Sequence, residues 1–344
     1  MNGPARPRAA ELGIPAGAFR RGAWNAITDV PGIRIGQVTV RTDRLNTGIT
    51  AIVPEQLGPG RPTLPAAVSV GNGYGKLVGA TQLRELGEIE TPILLTSTLS
   101  AFRVADALVA YMLEQPGHER TTTLNPVVGE TNDGFLSDIR SRPVGEDLVR
   151  EALADAASGP VEEGGVGAGT GTVTLGYKGG IGTASRWVTV GDDEYVIGAI
   201  VQSNYTGTMR IAGVPMPAEE LLGSDPAETM GNSCMIVVAT DAPLDARQLG
   251  RLANRAVFAM RGTGADYAQG SGDYAIAFSV GAGAPPADAL LSPAFLAAMD
   301  VVEEALLNSV LRAETRTGFE GRCAHGIPIG AVRERLVQAG IGVA

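Results

Sequence analysis

Short segments rich in β-branched residues and bounded by glycine recur along most of the chain. Seven of them have the length and composition of strands; they cover residues 33–40, 47–54, 66–71, 173–182, 195–204, 233–240 and 273–280. Five segments with a 3.6-residue apolar period predict helices; they cover residues 77–86, 101–113, 145–156, 245–260 and 293–313. Because strict β-α-β alternation is missing, the order favours a layered α/β protein with outer helices over a doubly wound sheet.

The chain is predicted to form one interwoven unit. Its 344 residues allow two domains or one large layered domain, and neither a low-complexity linker nor a fixed-period repeat divides it. Residues 1–25 contain arginines but no apolar run of the kind found in secretory signals. They are polar and are expected to form a flexible arm. The longest apolar runs elsewhere are far shorter than the ~18 residues of a membrane span, so no membrane association is expected.

The charge balance excludes one class of partner. The chain has 27 Lys and Arg against 37 Asp and Glu, a net charge of −10. This field repels phosphate backbones and anionic lipid, so nucleic acid is an unexpected partner. Only Cys234 and Cys323 are available as thiols. They suit a reducing cytoplasm, with the periplasm left open as an alternative.

Glycine is concentrated in residues 71–75 and 162–182, and this suggests a phosphate-binding loop that the spacing does not support. No six residues of the longer stretch satisfy G-x-G-x-x-G. In the shorter stretch Gly75 and Lys76 are followed by Leu77, which lacks the Mg²⁺-binding hydroxyl of a P-loop. The glycines must therefore serve tight turns or close backbone packing.

Histidine is too scarce for the usual hydrolytic machinery. Only His118 and His325 occur, each in a polar turn typical of surface residues, and the chain has no H-E-x-x-H motif and no G-x-S-x-G in a strand-turn-helix context. No metal ion or organic cofactor is expected. If the protein is a hydrolase, its general base is not a conventional histidine.

The segment around Asn232 and Ser233 offers a route that needs no histidine. It consists of a Gly-Asn turn, a serine and the apolar run MIVVA, in the order GNSCMIVVATDAPL. If the Ser233 hydroxyl is directed at the Asn232 carbonyl, an N→O acyl shift followed by hydrolysis cuts the chain and makes Ser233 an amino terminus. Its α-amine, with a reference pKa near 7.7–8.0, can then help to deprotonate its own hydroxyl. A plain turn before a strand is the alternative.

This segment belongs to a series of strings that resembles a known family. In chain order the strings are AITDVPGIRIGQVTV, VSVGNGYGKLVGATQL, VVGETNDGFLSDIR, GAGTGTVTLGYKGGIGTASR, VQSNYTG, GNSCMIVVATDAPL and GSGDYAIAFS, between residues 26 and 327. The chain is identified as similar to the self-cleaving aminopeptidases with an N-terminal nucleophile, peptidase family S58, which include L-aminopeptidase D-Ala-esterase/amidases and β-peptidyl aminopeptidases.

The resemblance implies a fold, a cut and an activity. The fold is a four-layer αββα sandwich over residues 26–344, cut between Asn232 and Ser233 into subunits of residues 1–232 and 233–344. The activity is release of small L-, D- or β-amino acids from the amino ends of short peptides, amides or esters through an acyl-enzyme on Ser233. A homo-oligomer, in the family a tetramer of cleaved units, is implied as well. The alternatives are an acyltransferase of the ornithine acetyltransferase type, or a binding protein that has lost processing.

The resemblance also implies roles near the nucleophile. Asn204 matches the asparagine whose amide donates to the tetrahedral oxyanion, and Ser271 matches a proton relay. Asp273 matches the acid that orients this relay, although the family frequently has glutamate there and aspartate is one methylene shorter. Strand alternation places Ser271 and Asp273 on one face and Tyr274 on the other. It likewise turns Cys234 away from Ser233, as a core thiol.

The remaining expectations concern substrate binding. Glu130 matches the family's acidic residue that holds the substrate ammonium, with Asp133 as an alternative for that role or as a cap. Phe135 stands where relatives carry Tyr or Trp and is expected to shape the pocket wall. Lys178 resembles a lysine near the nucleophile of distant self-cleaving relatives; a surface turn lysine is the alternative.

Overall fold

Two β-sheets form the centre of the protein, in a computed structural model that describes residues 6–223, 227 and 232–342. The strands are β1 (Ile33–Arg41), β2 (Asn46–Pro54), β3 (Leu64–Gly73), β4 (Glu88–Ile89), β5 (Ile93–Ser97), β6 (Val127–Thr131), β7 (Val173–Thr174), β8 (Tyr177–Lys178), β9 (Ile181–Val190), β10 (Asp193–Asn204), β11 (Arg210–Ile211), β12 (Val214–Pro215), β13 (Asn232–Thr240), β14 (Ser271–Ser279), β15 (Arg316–Thr317) and β16 (Cys323–Ala324). The helices are α1 (Ala80–Glu85), α2 (Ala101–Leu113), α3 (Glu146–Ala154), α4 (Ala218–Leu222), α5 (Ala246–Thr263), α6 (Ser292–Leu311) and α7 (Ile329–Gln338).

The larger sheet has six strands in the order β4-β3-β14-β13-β10-β9, and the smaller sheet has four in the order β1-β2-β5-β6. Most neighbouring strands are antiparallel, but β13 runs parallel to β14 and β5 runs parallel to β6. Both parallel pairs lie away from the hairpins that join β1 to β2 and β9 to β10. Strand β13 lies inside the large sheet, because β10 pairs with it on one side and β14 on the other.

Three apolar cores separate four layers. Side chains from both sheets, such as Ile52 of β2 and Val237 of β13, form the core between the sheets. The other face of the large sheet, including Ile236, packs against α5 and α6. The other face of the small sheet, including Ala51 and Leu94, packs against α2 and α3. The predicted four-layer αββα sandwich is confirmed, because each sheet buries one face on helices and one on the other sheet.

The predicted strands and helices are largely present, with one clear error. The segment 173–182, predicted as one strand, is instead the tight hairpin of β7 and β8 followed by the first residues of β9. Leu175 and Gly176 both have positive φ, at 55° and 83°, and such a pair reverses the chain direction. Strands β5 and β6 and helices α4 and α7 were not predicted.

Part of the amino-terminal arm packs against the core. Leu12 and Ile14 are buried in the core beneath the helices, and the Ala9 N–H donates to Asn308 Oδ1 of α6 at 2.9 Å. Arg8 also forms an ion pair with Glu163, at 2.8 Å. Leu12 and Ile14 thus contribute to the core, whereas most of residues 17–24 are exposed, and a flexible arm over residues 1–25 stays a prediction.

Close backbone packing explains part of the glycine-rich stretch. A Cβ built on Gly182 would lie 1.9 Å from the carbonyl oxygen of Ala305 in α6. One built on Gly180 would lie 2.1 Å from the carbonyl oxygen of Gly164. Only glycine allows these approaches, so the stretch holds β9 against α6 and against its own preceding loop.

Candidate active site

Ser233 lies at the beginning of the central strand β13 and is directed between the two sheets. The next residue of the same parity, Met235, is in the core between the sheets, whereas Cys234 is in the core beneath the helices. The Ser233 hydroxyl donates a short hydrogen bond to the carbonyl oxygen of Asn232. The hydroxyl is thus held against the peptide group that an N→O acyl shift requires it to attack. Gly231, the first residue of the predicted turn, lies outside the described residues.

A cleft of about 330 Å³ opens over Ser233. Its lining comes from the end of β3 and the residues after it, from β6, from the start of β13 and from the residue before β14. The lining residues are Gly73, Tyr74, Gly75, Lys76, Thr98, Glu130, Asn132, Asn232, Ser233 and Gly270. Ser233 itself is only 4% exposed. The nucleophile candidate therefore lies at the floor of the cleft.

Asn204 is the cross-strand partner of Ser233. The two residues face each other in the antiparallel register of β10 and β13, so their side chains share the face between the sheets. The Asn204 side-chain oxygen accepts a hydrogen bond from the backbone N–H of Val173, at 2.9 Å. The β7–β8 hairpin thus fixes the orientation of this buried amide.

Ser271 and Asp273 lie on β14, the parallel neighbour of β13. Ser271 is the register partner of Asn232, and Asp273 is the partner of Cys234. The Ser271 hydroxyl donates to Asp273 Oδ1 at 2.7 Å. Burial raises the pKa of Asp273 to about 6, against the opposing effect of this hydrogen bond. The pair therefore lies beside the Asn232–Ser233 peptide group but on the helix side of the sheet, opposite the Ser233 side chain.

A second polar chain holds Asn232 from the other side. The Asn232 Nδ2 group donates to Thr206 Oγ1 at 3.1 Å, and the Thr206 hydroxyl donates to Asp266 Oδ1 at 2.8 Å. Sequence reasoning did not identify Thr206 or Asp266. The string VQSNYTG, which contains Thr206, was the available signal.

Glu130 lies in the cleft and already faces a cation. Its Oε1 atom accepts the backbone N–H of Lys76 at 2.9 Å and lies 3.6 Å from Lys76 Nζ. The Lys76 ammonium also donates to Thr98 Oγ1 at 2.7 Å. Glu130 is 3% exposed, whereas the Lys76 side chain is 40% exposed. Lys76 was missed because it was considered only as a P-loop lysine.

Two other predicted binding residues do not line the cleft. Phe135 packs on the small cluster that contains Leu136 and Val173, with the Arg322 guanidinium 6.0 Å from its ring centre. It is therefore not the expected pocket wall. Asp133 is buried and accepts from the Ser97 hydroxyl at 2.8 Å, and burial raises its pKa to about 6. The Asp133 side chain is therefore held by Ser97 and does not line the cleft.

Burial decides between the alternatives for Cys234 and for Lys178, and it describes the two histidines. Cys234 is fully buried on the helix side, so the prediction of a core thiol is confirmed. Lys178 is 1% exposed and is not a surface turn lysine; its Nζ donates to the carbonyl oxygens of Gly169 and Gly179. His118 and His325 are half-buried and do not line the cleft.

Within residues 6–223, 227 and 232–342, no group of three or more His, Cys, Asp or Glu side chains is arranged to hold a metal ion. The same residues include no helix that is long and apolar enough to cross a membrane.

Comparison with known proteins gives matches over nearly the whole chain. The sequence model of peptidase family S58 matches residues 25–324. A β-peptidyl aminopeptidase, BapA of Sphingosinicella microcystinivorans, is 36% identical over 370 aligned positions that cover 96% of this chain and 92% of the relative.

Two solved structures are similar in both fold and sequence. The PH0078 protein of Pyrococcus horikoshii OT3 has a TM-score of 0.91 and 39% identity, over 98% of this chain and all of that one. The L-aminopeptidase D-Ala-esterase/amidase of Ochrobactrum anthropi has a TM-score of 0.90 and 36% identity, over 97% of this chain and 99% of that one. The latter is described as a prototype for the serine aminopeptidases and a variant of the Ntn hydrolase fold.

Proposed function

The chain belongs to peptidase family S58, and we propose that Ser233 is the nucleophile of this serine aminopeptidase, first in cutting its own chain and then in cutting substrates. The proposed substrates are short peptides, amides or esters with a small L-, D- or β-amino acid at the amino end. The observation that carries the proposal is the hydrogen bond from the Ser233 hydroxyl to the Asn232 carbonyl at the floor of the cleft.

Self-cleavage begins at this hydrogen bond. The Ser233 oxygen attacks the carbonyl carbon of Asn232, the C–N bond breaks, and the hydroxyl proton passes to the departing nitrogen, which becomes the α-amine of Ser233. Water then hydrolyses the ester, leaving a carboxylate on Asn232 and a free hydroxyl on Ser233. The Thr206–Asn232 hydrogen bond supports this step by fixing the residue that carries the attacked carbonyl.

The new α-amine then serves as the general base. With a reference pKa near 7.7–8.0 it is partly neutral at physiological pH, so it can take the Ser233 proton during acylation. Ser271 is the register neighbour of Asn232 and is therefore placed to contact this amine after the cut. Asp273, which accepts from the Ser271 hydroxyl, orients this relay.

Asn204 is the proposed oxyanion donor. It lies directly across from Ser233, the Val173 N–H donates to its side-chain oxygen, and its NH₂ group is the proposed donor to the oxyanion. A preorganised amide of this kind stabilises the tetrahedral intermediate because no reorientation is needed as charge develops.

Glu130 is the proposed partner of the substrate ammonium. The position of Lys76 Nζ supports this, since a cation is already accommodated 3.6 Å from the carboxylate. A substrate ammonium either replaces Lys76 there or shares the carboxylate with it, and both arrangements avoid an unpaired charge in a buried place. The small cleft volume supports small amino-terminal residues.

Denaturing gel electrophoresis tests the self-cleavage. The cut gives fragments of 232 and 112 residues, about two-thirds and one-third of the 35.3 kDa chain, and Ser233→Ala is expected to remain one band. The activity is tested on p-nitroanilides of L-Ala, D-Ala and β-Ala, with N-acetylated L-Ala as the control that has no ammonium. A single full-length band from fully active protein contradicts the processing, and equal turnover of the acetylated substrate contradicts an aminopeptidase.

A homo-oligomer, specifically a tetramer of cleaved units, is also part of the proposal. Exposed apolar side chains on the described surface support it, among them Tyr74, Phe102 and Phe258, which are 60–70% exposed. Light scattering after size exclusion measures the mass directly, and a monomer contradicts it. Cytoplasmic location remains part of the same proposal, with the periplasm as the alternative.

A further inference from the structure

A second polar cavity, of about 440 Å³, lies outside the catalytic cleft and has no lining residue in common with it. Four guanidinium groups and one buried ammonium line it, from the amino-terminal arm, the end of β1, the β8 strand and the segment after α6. These cationic residues are Arg6, Arg41, Lys178, Arg312 and Arg316. We propose that this cavity binds a compact multivalent oxyanion, a polycarboxylate or a phosphorylated small molecule.

The cavity has more cationic than anionic side chains in its lining. Three glutamates also line the cavity, but Glu162 and Glu314 are exposed. Glu163 is the inner carboxylate, and it already pairs with Arg8 at 2.8 Å and lies 4.0 Å from Arg312. Among the described residues no carboxylate lies within ion-pair distance of the remaining four cations, Arg6, Arg41, Lys178 and Arg316. The inner part of the cavity therefore carries excess positive charge in a protein whose net charge is −10.

Backbone carbonyl groups hold several of these cations in place. Neutral oxygens fix their positions: Arg6 donates to the carbonyl oxygen of Leu311, Arg41 to that of Gly165, and Lys178 to that of Gly169. Such bonds satisfy hydrogens without neutralising charge. Burial chiefly, with smaller contributions from Arg41 and Arg316 and against a raising effect of Asp133, lowers the pKa of Lys178 to about 7. An anion in the cavity would relieve this repulsion.

The donor groups and the volume of the cavity suit a compact oxyanion. A guanidinium presents a planar fork of N–H donors that matches carboxylate and phosphate oxygens. The buried Nε atom of Arg312 lies 4.0 Å from Glu163 Oε2, beyond hydrogen-bond distance, and has no hydrogen-bond partner among the described residues, so its N–H can donate to a ligand. Lys178, 1% exposed, lies in the wall of the same cavity. The volume is in the range of small-molecule sites, which favours a compact ligand over a polymer.

Isothermal titration of the protein as purified, cleaved or not, with citrate and with inorganic phosphate at low ionic strength tests the proposal. We expect saturable binding of at least one probe at one site per chain, with a rise in melting temperature. Arg41→Gln and Arg316→Gln are each expected to weaken binding roughly tenfold or more, and the matching lysine variants less. The control Arg84→Gln, whose side chain is 82% exposed elsewhere, should bind as the parent does.

The outcome is decided by the pattern across variants. Absence of saturable binding by both probes overturns the proposal, and so does binding that Arg41→Gln and Arg316→Gln leave unchanged. Melting temperatures without probe identify a variant that has lost its fold, and Arg41→Gln is the safer of the two because Arg41 is exposed. Because the titration does not depend on turnover, its result is independent of the proposed peptidase mechanism.

Discussion

The side-chain amide of Asn204 combines a structural hydrogen bond with a proposed catalytic one. Its oxygen accepts from Val173, and its amide nitrogen is the proposed donor to the oxyanion. Asn204→Asp keeps an acceptor for Val173 and removes the NH₂ donor. We expect kcat per processed chain to fall about 100- to 1,000-fold, since one oxyanion donor contributes about 2.7–4 kcal/mol to barrier lowering.

The measurement is kcat on the best p-nitroanilide, divided by the cleaved fraction from a gel. Asn204→Ala serves as the comparison, because it also leaves the Val173 N–H without its acceptor and should lower the melting temperature more. A kcat for Asn204→Asp within tenfold of the parent would remove Asn204 from the mechanism.

Asp273 predicts a pH dependence of stability with a definite sign. Burial raises its pKa in the folded state to about 6 from an ordinary value of 3.8, so between these values the folded protein binds more protons than the unfolded chain. Stability from this group is therefore lost as pH rises from about 4 to about 6. Asn does not titrate, so the free energy of unfolding of Asp273→Asn, relative to that of the parent, should rise by roughly 3 kcal/mol across that range and then level off.

Urea unfolding at several pH values measures this difference. Both proteins should carry Ser233→Ala, so that neither is cleaved and the comparison isolates the carboxyl group. Other buried acids titrate in the same range, but they are common to both proteins and cancel. A difference that is constant from pH 4 to pH 7 contradicts the elevated pKa.

For single residues, positions in the site could be predicted from the sequence, whereas several of their contacts could not. Ser233 and Glu130 line the cleft, and Asn204 is the cross-strand partner of Ser233; the roles that the family strings imply for them stay predictions. Strand alternation predicted that Ser271 and Asp273 share one face, and the hydrogen bond between them is present although aspartate is one methylene shorter than the glutamate frequent in the family. Lys76 could not be assigned, because its contact with Glu130 joins residues 54 positions apart that only the packing of the two sheets brings together.

Among the elements, the contact between β9 and α6 depends on the absence of a side chain. Gly182→Ala would place a methyl group 1.9 Å from the Ala305 carbonyl oxygen and 2.5 Å from the Ser309 nitrogen, both backbone atoms of α6. We expect a loss of about 1–3 kcal/mol in stability, the usual cost of overpacking, measured by urea unfolding. Gly330→Ala in α7, where nothing lies within 4 Å, is the matched control and should be neutral or slightly stabilising. Equal stability of the two variants would contradict the close packing.

Helices with a clear apolar period could be predicted from sequence, and short buried strands could not. Helix α2 begins and ends at the predicted residues 101 and 113, because its apolar side chains repeat at helical spacing. Strands β5 and β6 are five residues long and buried on both faces, so they lack the alternation that identifies a strand. In residues 173–182 the reversal at Leu175 needs a positive φ that no sequence pattern indicated.

For the whole molecule, the proposed cut lies inside one sheet and not between domains. Strand β13 would belong to the carboxyl-terminal fragment and its neighbour β10 to the amino-terminal one, yet they pair over eight residues, from Ile197 opposite Thr240 to Asn204 opposite Ser233. We expect the fragments to co-elute in size exclusion and to unfold in one transition. Calorimetry of cleaved protein and of Ser233→Ala tests this, and two separate transitions in the cleaved protein would contradict it.

The strand order also implies that folding has to precede the proposed cut. Strands β13 and β14 would form a two-stranded ribbon with two open edges if the carboxyl-terminal part were made separately, and the amino-terminal part would have a gap between β3 and β10. Each half would then expose unpaired backbone that invites aggregation. Under the proposed cut, the chain would therefore have to complete its fold before it is cleaved. We expect a gene split at codon 233 to yield insoluble halves unless both halves are produced together.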